Sequence, residues 1–190
     1  MFAKIGHGGI IAIAVGALII IIILWFLGTM NRLRKLALKI AEAESGIDVA
    51  LTKRFEVLMK LLEIMKCYAK SECEKLAEII KWRNGIPISA AIADKEEFFS
   101  QMDTVAVGIA AIAGVYPTLI ADVHFKELQI GVANTDEQLQ AARRLYNAYV
   151  TAINAIIGTF PDLLVANAIR MEKKGSFEAE AKKPPEGEFK

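Results

Sequence analysis

Apolar residues recur along the first half of the chain at Leu33, Leu36, Ile40, Ala43, Ile47, Leu51, Leu58, Leu62, Met65, Ala69, Leu76 and Ile79/Ile80, with charges filling the positions between them. The steps are threes, fours and sevens, the period of one helical face and not the two-residue alternation of a strand. The pattern predicts a first helix from about Arg32 to about Arg83, on the order of 75 Å long. Gly46 lies inside it and costs about 1 kcal/mol relative to Ala. It marks a bend, a close helix contact or simply a tolerated glycine.

Asn84–Ser89, "NGIPIS", ends this helix, because Asn-Gly suits a C-terminus and Pro87 forbids easy continuation. Ser89 is placed to cap a second helix, from about Ala90 to Val115. Its "TVAVGIAAIAGV" half, twelve residues, is too short to cross a bilayer and reads as a buried segment. Tyr116-Pro117 ends that helix, since proline disfavours helical geometry in the residue before it and fits the first turn of the next helix. A third helix follows, from Pro117 or Asp122 to about Thr159, with Phe125, Leu128, Val132, Thr135, Leu139, Ala142, Tyr146, Tyr149, Ile153, Ile156 and Phe160 on its face. Phe160-Pro161 closes it and opens a short helix, "PDLLVANAIR". The last twenty residues hold five Lys and five Glu and are expected to form an extended or disordered tail, with Phe177 and Phe189 able to dock locally. The fold class is all-α: three long antiparallel helices and a short C-terminal helix.

Composition adds a membrane. The chain of 190 residues is 54% hydrophobic, above the usual ~45–50%, and the excess lies in Gly8–Leu27, twenty residues without a charge. At ~1.5 Å per residue this run spans ~30 Å, one hydrocarbon core, with Trp25 and Phe26 at the level of an aromatic belt. The run is longer than a signal-peptide core, and no small-residue cleavage site precedes Arg32, so a retained signal-anchor is expected. The resulting organisation is a short outer tail at 1–7, a transmembrane helix at 8–28, a helical bundle at 29–170 and a charged flexible tail at 171–190. Arg32, Arg34, Lys35 and Lys39 follow the run before the first acid, Glu42. The positive-inside rule therefore puts the N-terminus outside and the bundle in the cytoplasm, with a periplasmic bundle as the alternative.

Charge and candidate chemistry narrow the picture further. Beyond the span, 22 basic residues face 22 acidic ones, which gives no electrostatic case for nucleic acid. Cys67 and Cys73, six residues apart, cannot pair within one helix and read as small packed side chains. Asp122, His124 and Glu127 are the sole Asp/His/Glu cluster, far short of the paired Glu-x-x-His sets of two-metal bundles, so no metal or cofactor is expected. No nucleophile, base and acid come into view for a hydrolase, and no catalytic residue is expected. Lys53-Arg54 and Arg143-Arg144 either meet acidic headgroups or pair with acids such as Asp136 and Glu137. His7–Gly9, "HGG", lacks the second half of a phosphate loop. Ala12 and Gly16 form a small-x-x-x-small pair that could seat another span.

Four motifs then occur in order. Ile47–Glu72 contains Ile-Asp-Val, Lys-Arg and Cys-Tyr-Ala; Tyr116–Gln129 contains Tyr-Pro-x-Leu and Phe-x-x-Leu; Thr135–Asn147 reads "TDEQLQAARRLYN"; and Tyr146-Asn147, Val150, Asn154 and Phe160-Pro161 are followed by "LLVA". Together they resemble the LemA family, from about Ala41 to the C-terminus, plus the N-terminal span. Ile153 stands where that pattern has a second Tyr, and "LMKLL" lacks its Pro-Asn. The resemblance implies a bacterial or archaeal membrane-anchored helical bundle without established catalytic activity, some relatives of which take part in forming magnetosome organelles. Asn147 and Asn154 lie one heptad apart on an apolar helix. Buried amides must be hydrogen-bonded, and such a pair can fix helix register; a ligand or partner site is the alternative.

These readings converge on a non-enzymatic scaffold, assembly or membrane-organising protein in the cell membrane or an organelle-like internal membrane. The other function class is an accessory subunit of a membrane protease or sensor. Membrane lipid and further copies of the chain are the expected partners, with a membrane-protein partner under the second reading. Because the second and third helices are shorter than the first, the stripe Leu33, Leu36, Ile40 and Ala43 is expected to be partly uncovered and to mediate lateral assembly, together with Ala12 and Gly16.

Overall fold

The computed structural model describes residues 7–80 and 90–177, apart from the side chains of residues 7, 8, 10 and 12. The expected "NGIPIS" stop, Ser89, Phe189, the outer tail before His7 and the side chain of Ala12 lie outside the described residues. All regular structure among those described is helical: α1 (His7–Met65), α2 (Lys70–Ile79), α3 (Ile92–Val115), α4 (Pro117–Ala121), α5 (Val123–Gly158) and α6 (Asp162–Ala168). The chain forms two compact units, one of Met1–Ile40 with Tyr149–Lys174 and one of Ala41–Ala148 with Gly175–Lys190.

In the first unit the apolar run forms an open sleeve. Ile11, Ile21 and Leu24 are each more than 60% exposed, whereas Leu33, Ile40, Ile153, Ile156, Val165 and Ala166 are buried. The Thr29 hydroxyl donates to Asp162 Oδ1 at 3.0 Å, and the Lys39 ammonium lies 5.4 Å from the Tyr149 ring centroid. Residue numbers rise on one helix as they fall on the other, so the end of α5 runs antiparallel to α1. Helices α5 and α6 then meet at 97°. The α6 helix ends with Met171 N–H donating to Ala166 O at 3.0 Å and with Arg170 at φ 53°, the left-handed C-terminal turn usually given to glycine.

The second unit departs from the expected arrangement. Lys95 pairs with Glu44 and Asp48, the Phe98 ring meets that of Phe55 at a tilt, Asp103 meets Arg54, and Tyr116 meets Tyr68. Residue numbers rise together on α1 and α3, so these two helices are parallel, whereas the expected antiparallel bundle would have consecutive long helices running in opposite directions. Helix α5 is antiparallel to both: Asp136 reaches Arg54, and Gly131 lies near Val57.

The cause is a break in the first helix. It stops at Met65, where Tyr68 and Ala69 both donate to the Met65 carbonyl, and not near Arg83. The chain re-enters as α2, whose Leu76 packs on Gly108 of α3. No Gly or Pro marks the break, and the apolar period runs through it because Ala69 and Cys73 are themselves buried. Helix α3 begins with Ala91 as its N-cap and no side-chain cap. At the start of α5, Asp122 Oδ1 accepts from Phe125 N–H at 3.0 Å, a side-chain cap of the usual kind.

The shorter first helix also removes the surplus length on which an uncovered stripe depended. Leu33 and Ile40 are buried in the first unit and Ala43 in the second, while Leu36 is half-buried. By length and composition, the N-terminal part of α1 (mean hydropathy 2.7) and α3 (1.5) are each apolar enough to cross a membrane, as is the bent α5–α6 pair taken together. The Lys95 and Asp103 side chains of α3, however, pair with charged residues of α1.

Candidate functional site

Among the described residues of the second unit, three cations occupy apolar-stripe positions. Arg54 stands between Leu51 and Leu58, Lys95 one turn before Phe98, and Arg143 between Leu139 and Tyr146; they are 3%, 0% and 4% exposed. Buried charges require partners, because desolvation otherwise costs several kcal/mol per ion. Lys95 Nζ donates to Glu44 Oε1 at 2.8 Å and lies 2.7 Å from Asp48 Oδ1. Burial opposes the Lys95 charge, but its hydrogen bonds to Asp48 and Glu44 outweigh it and raise the pKa above its ordinary value. Arg54 bridges Asp103 at 3.3 Å and Asp136 at 3.4 Å, tying α1 to α3 and to α5.

Arg143 is held differently. Its guanidinium lies 4.7 Å from the centroids of both Phe99 and Phe177, and Arg54 approaches the same Phe99 ring at 4.9 Å. Its Nη1 is buried without a hydrogen-bond partner among the described residues. Burial accordingly lowers the Arg143 pKa, with Glu96 and Asp136 opposing that shift. Ring faces add to the nearby carboxylates here, a role to which the weakly hydrated planar guanidinium is suited.

Phe177 closes this cluster, and the Asn147 amide holds its backbone. In the second unit Phe177 N–H donates to Asn147 Oδ1 at 2.7 Å, and Asn147 Nδ2 donates to Phe177 O at 2.8 Å. Tyr146 OH donates to Gly175 O at 3.1 Å, and burial raises the Tyr146 pKa. In the first unit Asn154 clamps Lys174 in the same two-bond way, at 2.8 and 2.9 Å. Each amide thus acts as a strand partner for one residue of the segment, serving backbone groups that Met171–Phe177, without regular structure, could not satisfy itself.

The expected site residues therefore separate. Tyr146, Asn147 and Asn154 bind the chain's own C-terminal segment, not a neighbouring helix. Phe160 is 75% exposed and Pro161 is exposed beside it. Gly16 has open space around it. Gly46 also has nothing within 4 Å and is a tolerated glycine. His124 and Glu127 are exposed, 3.8 Å apart, and no group of three or more potential metal ligands exists among the described residues. Cys67 is exposed and Cys73 buried, both free; Cys67 lies in the break after α1 and Cys73 on α2. Lys95 and the role of Phe99 were not singled out from the sequence. The signal for Lys95, Arg54 and Arg143 was a cation falling in register with an apolar stripe.

The LemA family profile matches residues 43–189. The chain belongs to the LemA family. Among its relatives, Protein LemA of Metamycoplasma hominis is 26% identical over 155 residues, covering 81% of this chain and 71% of that protein. The LemA match begins beyond the apolar run and takes in all three buried cations and both amides.

Proposed function

We propose that this LemA family protein is a single-pass, membrane-anchored helical scaffold that organises membrane or assembles partners without catalysis. One observation carries the reading: the exposed apolar sleeve Ile11–Leu27 belongs to the same helix, α1, that supplies Glu44, Asp48 and Arg54 to an internally paired charged layer. Such a sleeve needs lipid around it, since large contiguous apolar surfaces do not stay in water. The charges of α3 are already bound by α1, which favours the N-terminal run alone as the span. The basic group Arg32, Arg34, Lys35 and Lys39 favours an outer N-terminus and a cytoplasmic helical domain, in the cell membrane or an organelle-like internal membrane. Lipid is the first partner. Further copies meet the span through Ala12 and Gly16, because the Leu33–Ile40 stripe is already covered.

The mass of the particle extracted in mild detergent tests this reading. A homo-oligomer of the chain supports the scaffold. A stoichiometric foreign membrane protein instead supports the second reading, an accessory subunit of a membrane protease or sensor.

A further inference from the structure

We propose that the α5–α6 corner is a second membrane contact, in which Phe160 and Leu164 enter the boundary between lipid headgroups and acyl chains beside the end of the span. The proposal rests on the reading of Ile11–Leu27 as membrane-embedded. Its observations all lie within the first unit.

Phe160, in the turn before α6, is 75% exposed and Leu164, on α6, is 56% exposed, whereas the adjoining Val165 and Ala166 are fully buried. A large aromatic and a leucine left bare four residues apart require a partner, and their position identifies it. Thr29, two residues beyond the apolar run, is hydrogen-bonded to Asp162 at 3.0 Å. The first turn of α6 is thereby fixed at the level where α1 leaves the hydrocarbon.

Direction supplies the second argument. The last turns of α5 run along α1, as the Lys39–Tyr149 contact shows, and α6 departs at 97°. With α1 crossing the bilayer, α6 lies near the plane of its surface, the orientation of an interfacial helix. Helix α5 does not re-enter the membrane, because its end lies beside the polar stretch of α1 that follows the span. The Thr29–Asp162 hydrogen bond also ties these bare side chains to the end of a surface already assigned to lipid, where Leu24 and Leu27 are 63% and 43% exposed.

Charge agrees. Residues 29–40 and 149–174 carry seven basic side chains against the two acids Asp162 and Glu172, and Arg32, Arg34 and Arg170 are exposed. A basic collar around an apolar wedge suits an anionic leaflet. The occupant is therefore the lipid surface. Trp25 already stands at that interface and gives an internal reference.

The test uses the full chain in vesicles of phosphatidylcholine and phosphatidylglycerol, with the phosphatidylcholine brominated near the headgroup end of its acyl chains. One protein keeps Trp25 alone, by Trp82→Phe. Three others carry Phe160→Trp, Leu164→Trp or Leu38→Trp on a Trp25→Phe, Trp82→Phe background. Leu38 is 72% exposed on α1 beyond the span. The indoles introduced at positions 160 and 164 are expected to lose most of their emission to bromine, as Trp25 does, and to emit to the blue of the one at position 38, which stays unquenched. If Trp25 is quenched while those at 160 and 164 emit as in water, the corner does not touch lipid and the proposal fails. If Trp25 itself is unquenched, the embedded span fails and the proposal falls with it. Both tested positions are solvent-open in the fold, and helical circular dichroism equal to that of the parent confirms folding of each variant.

Discussion

A single side chain, Asn147, satisfies both backbone groups of Phe177, accepting from its N–H at 2.7 Å and donating to its carbonyl at 2.8 Å. The amide is thus a fastening for the C-terminal segment. Replacing it with an apolar residue leaves a partly buried N–H and C=O without partners, a loss of about 1–3 kcal/mol. Asn147→Leu is expected to lower the melting temperature and to speed hydrogen exchange at Phe177. Asn147→Asp keeps the acceptor but turns a second oxygen toward the Phe177 carbonyl, and should fall between the two. Asn154→Leu, at a more exposed clamp, should cost no more than about 1 kcal/mol. Unchanged exchange at Phe177 in Asn147→Leu contradicts this role.

Lys95 is enclosed by Glu44 and Asp48. Lys95→Met leaves two carboxylates facing each other beside a dry core, and the loss should reach about 3–5 kcal/mol. Adding Glu44→Gln and Asp48→Asn removes the stranded charges and should restore most of that stability, because buried ion pairs contribute little net energy beyond an apolar replacement. Thermal unfolding followed by circular dichroism in detergent compares the three proteins. A triple variant no more stable than Lys95→Met alone contradicts the assignment.

Stability should fall in alkali. Cys73 and Tyr146 are raised by burial from ordinary values of 9.0 and 10.0, and Lys95 is raised from 10.5 by its two carboxylates despite burial. Each group holds its proton more tightly folded than unfolded. Its contribution is therefore complete below the unfolded value and is lost as pH climbs through the folded value. The melting temperature should be flat with respect to these groups up to about pH 9 and decline beyond it, less steeply in Cys73→Ala and Tyr146→Phe. A melting temperature that rises between neutral pH and pH 10 contradicts the sign.

Two backbone substitutions test the helix assignments. Gly46 is helical with open space around it, so Gly46→Ala should stabilise by about 1 kcal/mol. Arg170 holds a positive φ at the end of α6, and Arg170→Gly should be neutral or stabilising by up to about 1 kcal/mol. Denaturant midpoints measure both, and a clear loss in either variant places that residue in a different conformation.

Much of this architecture was legible because apolar spacing encodes helix faces directly. The stripe Leu33–Met65, the Tyr116-Pro117 corner and the short helix after Phe160-Pro161 all follow from period and proline geometry. The break at Lys66–Ala69 was not legible, because its residues are ordinary helix formers and the buried period continues through Ala69 and Cys73. The parallel pairing of α1 with α3 depended on that break. The amides at Asn147 and Asn154 announced a hydrogen-bonded role, but their partners are backbone atoms, which carry no signature in a sequence. The charged layer was half visible: Arg54 and Arg143 interrupt apolar stripes, and only the fold shows what they meet.

Protease protection tests the central claim of a single-span anchor with its helical domain in the cytoplasm. The protein carries a C-terminal epitope and is expressed in bacterial cells converted to spheroplasts. The claim predicts that it stays with carbonate-washed membranes, that external protease leaves the tagged domain intact, and that the domain is degraded once detergent opens the membrane. Release by carbonate, or digestion of the domain in sealed spheroplasts, contradicts it.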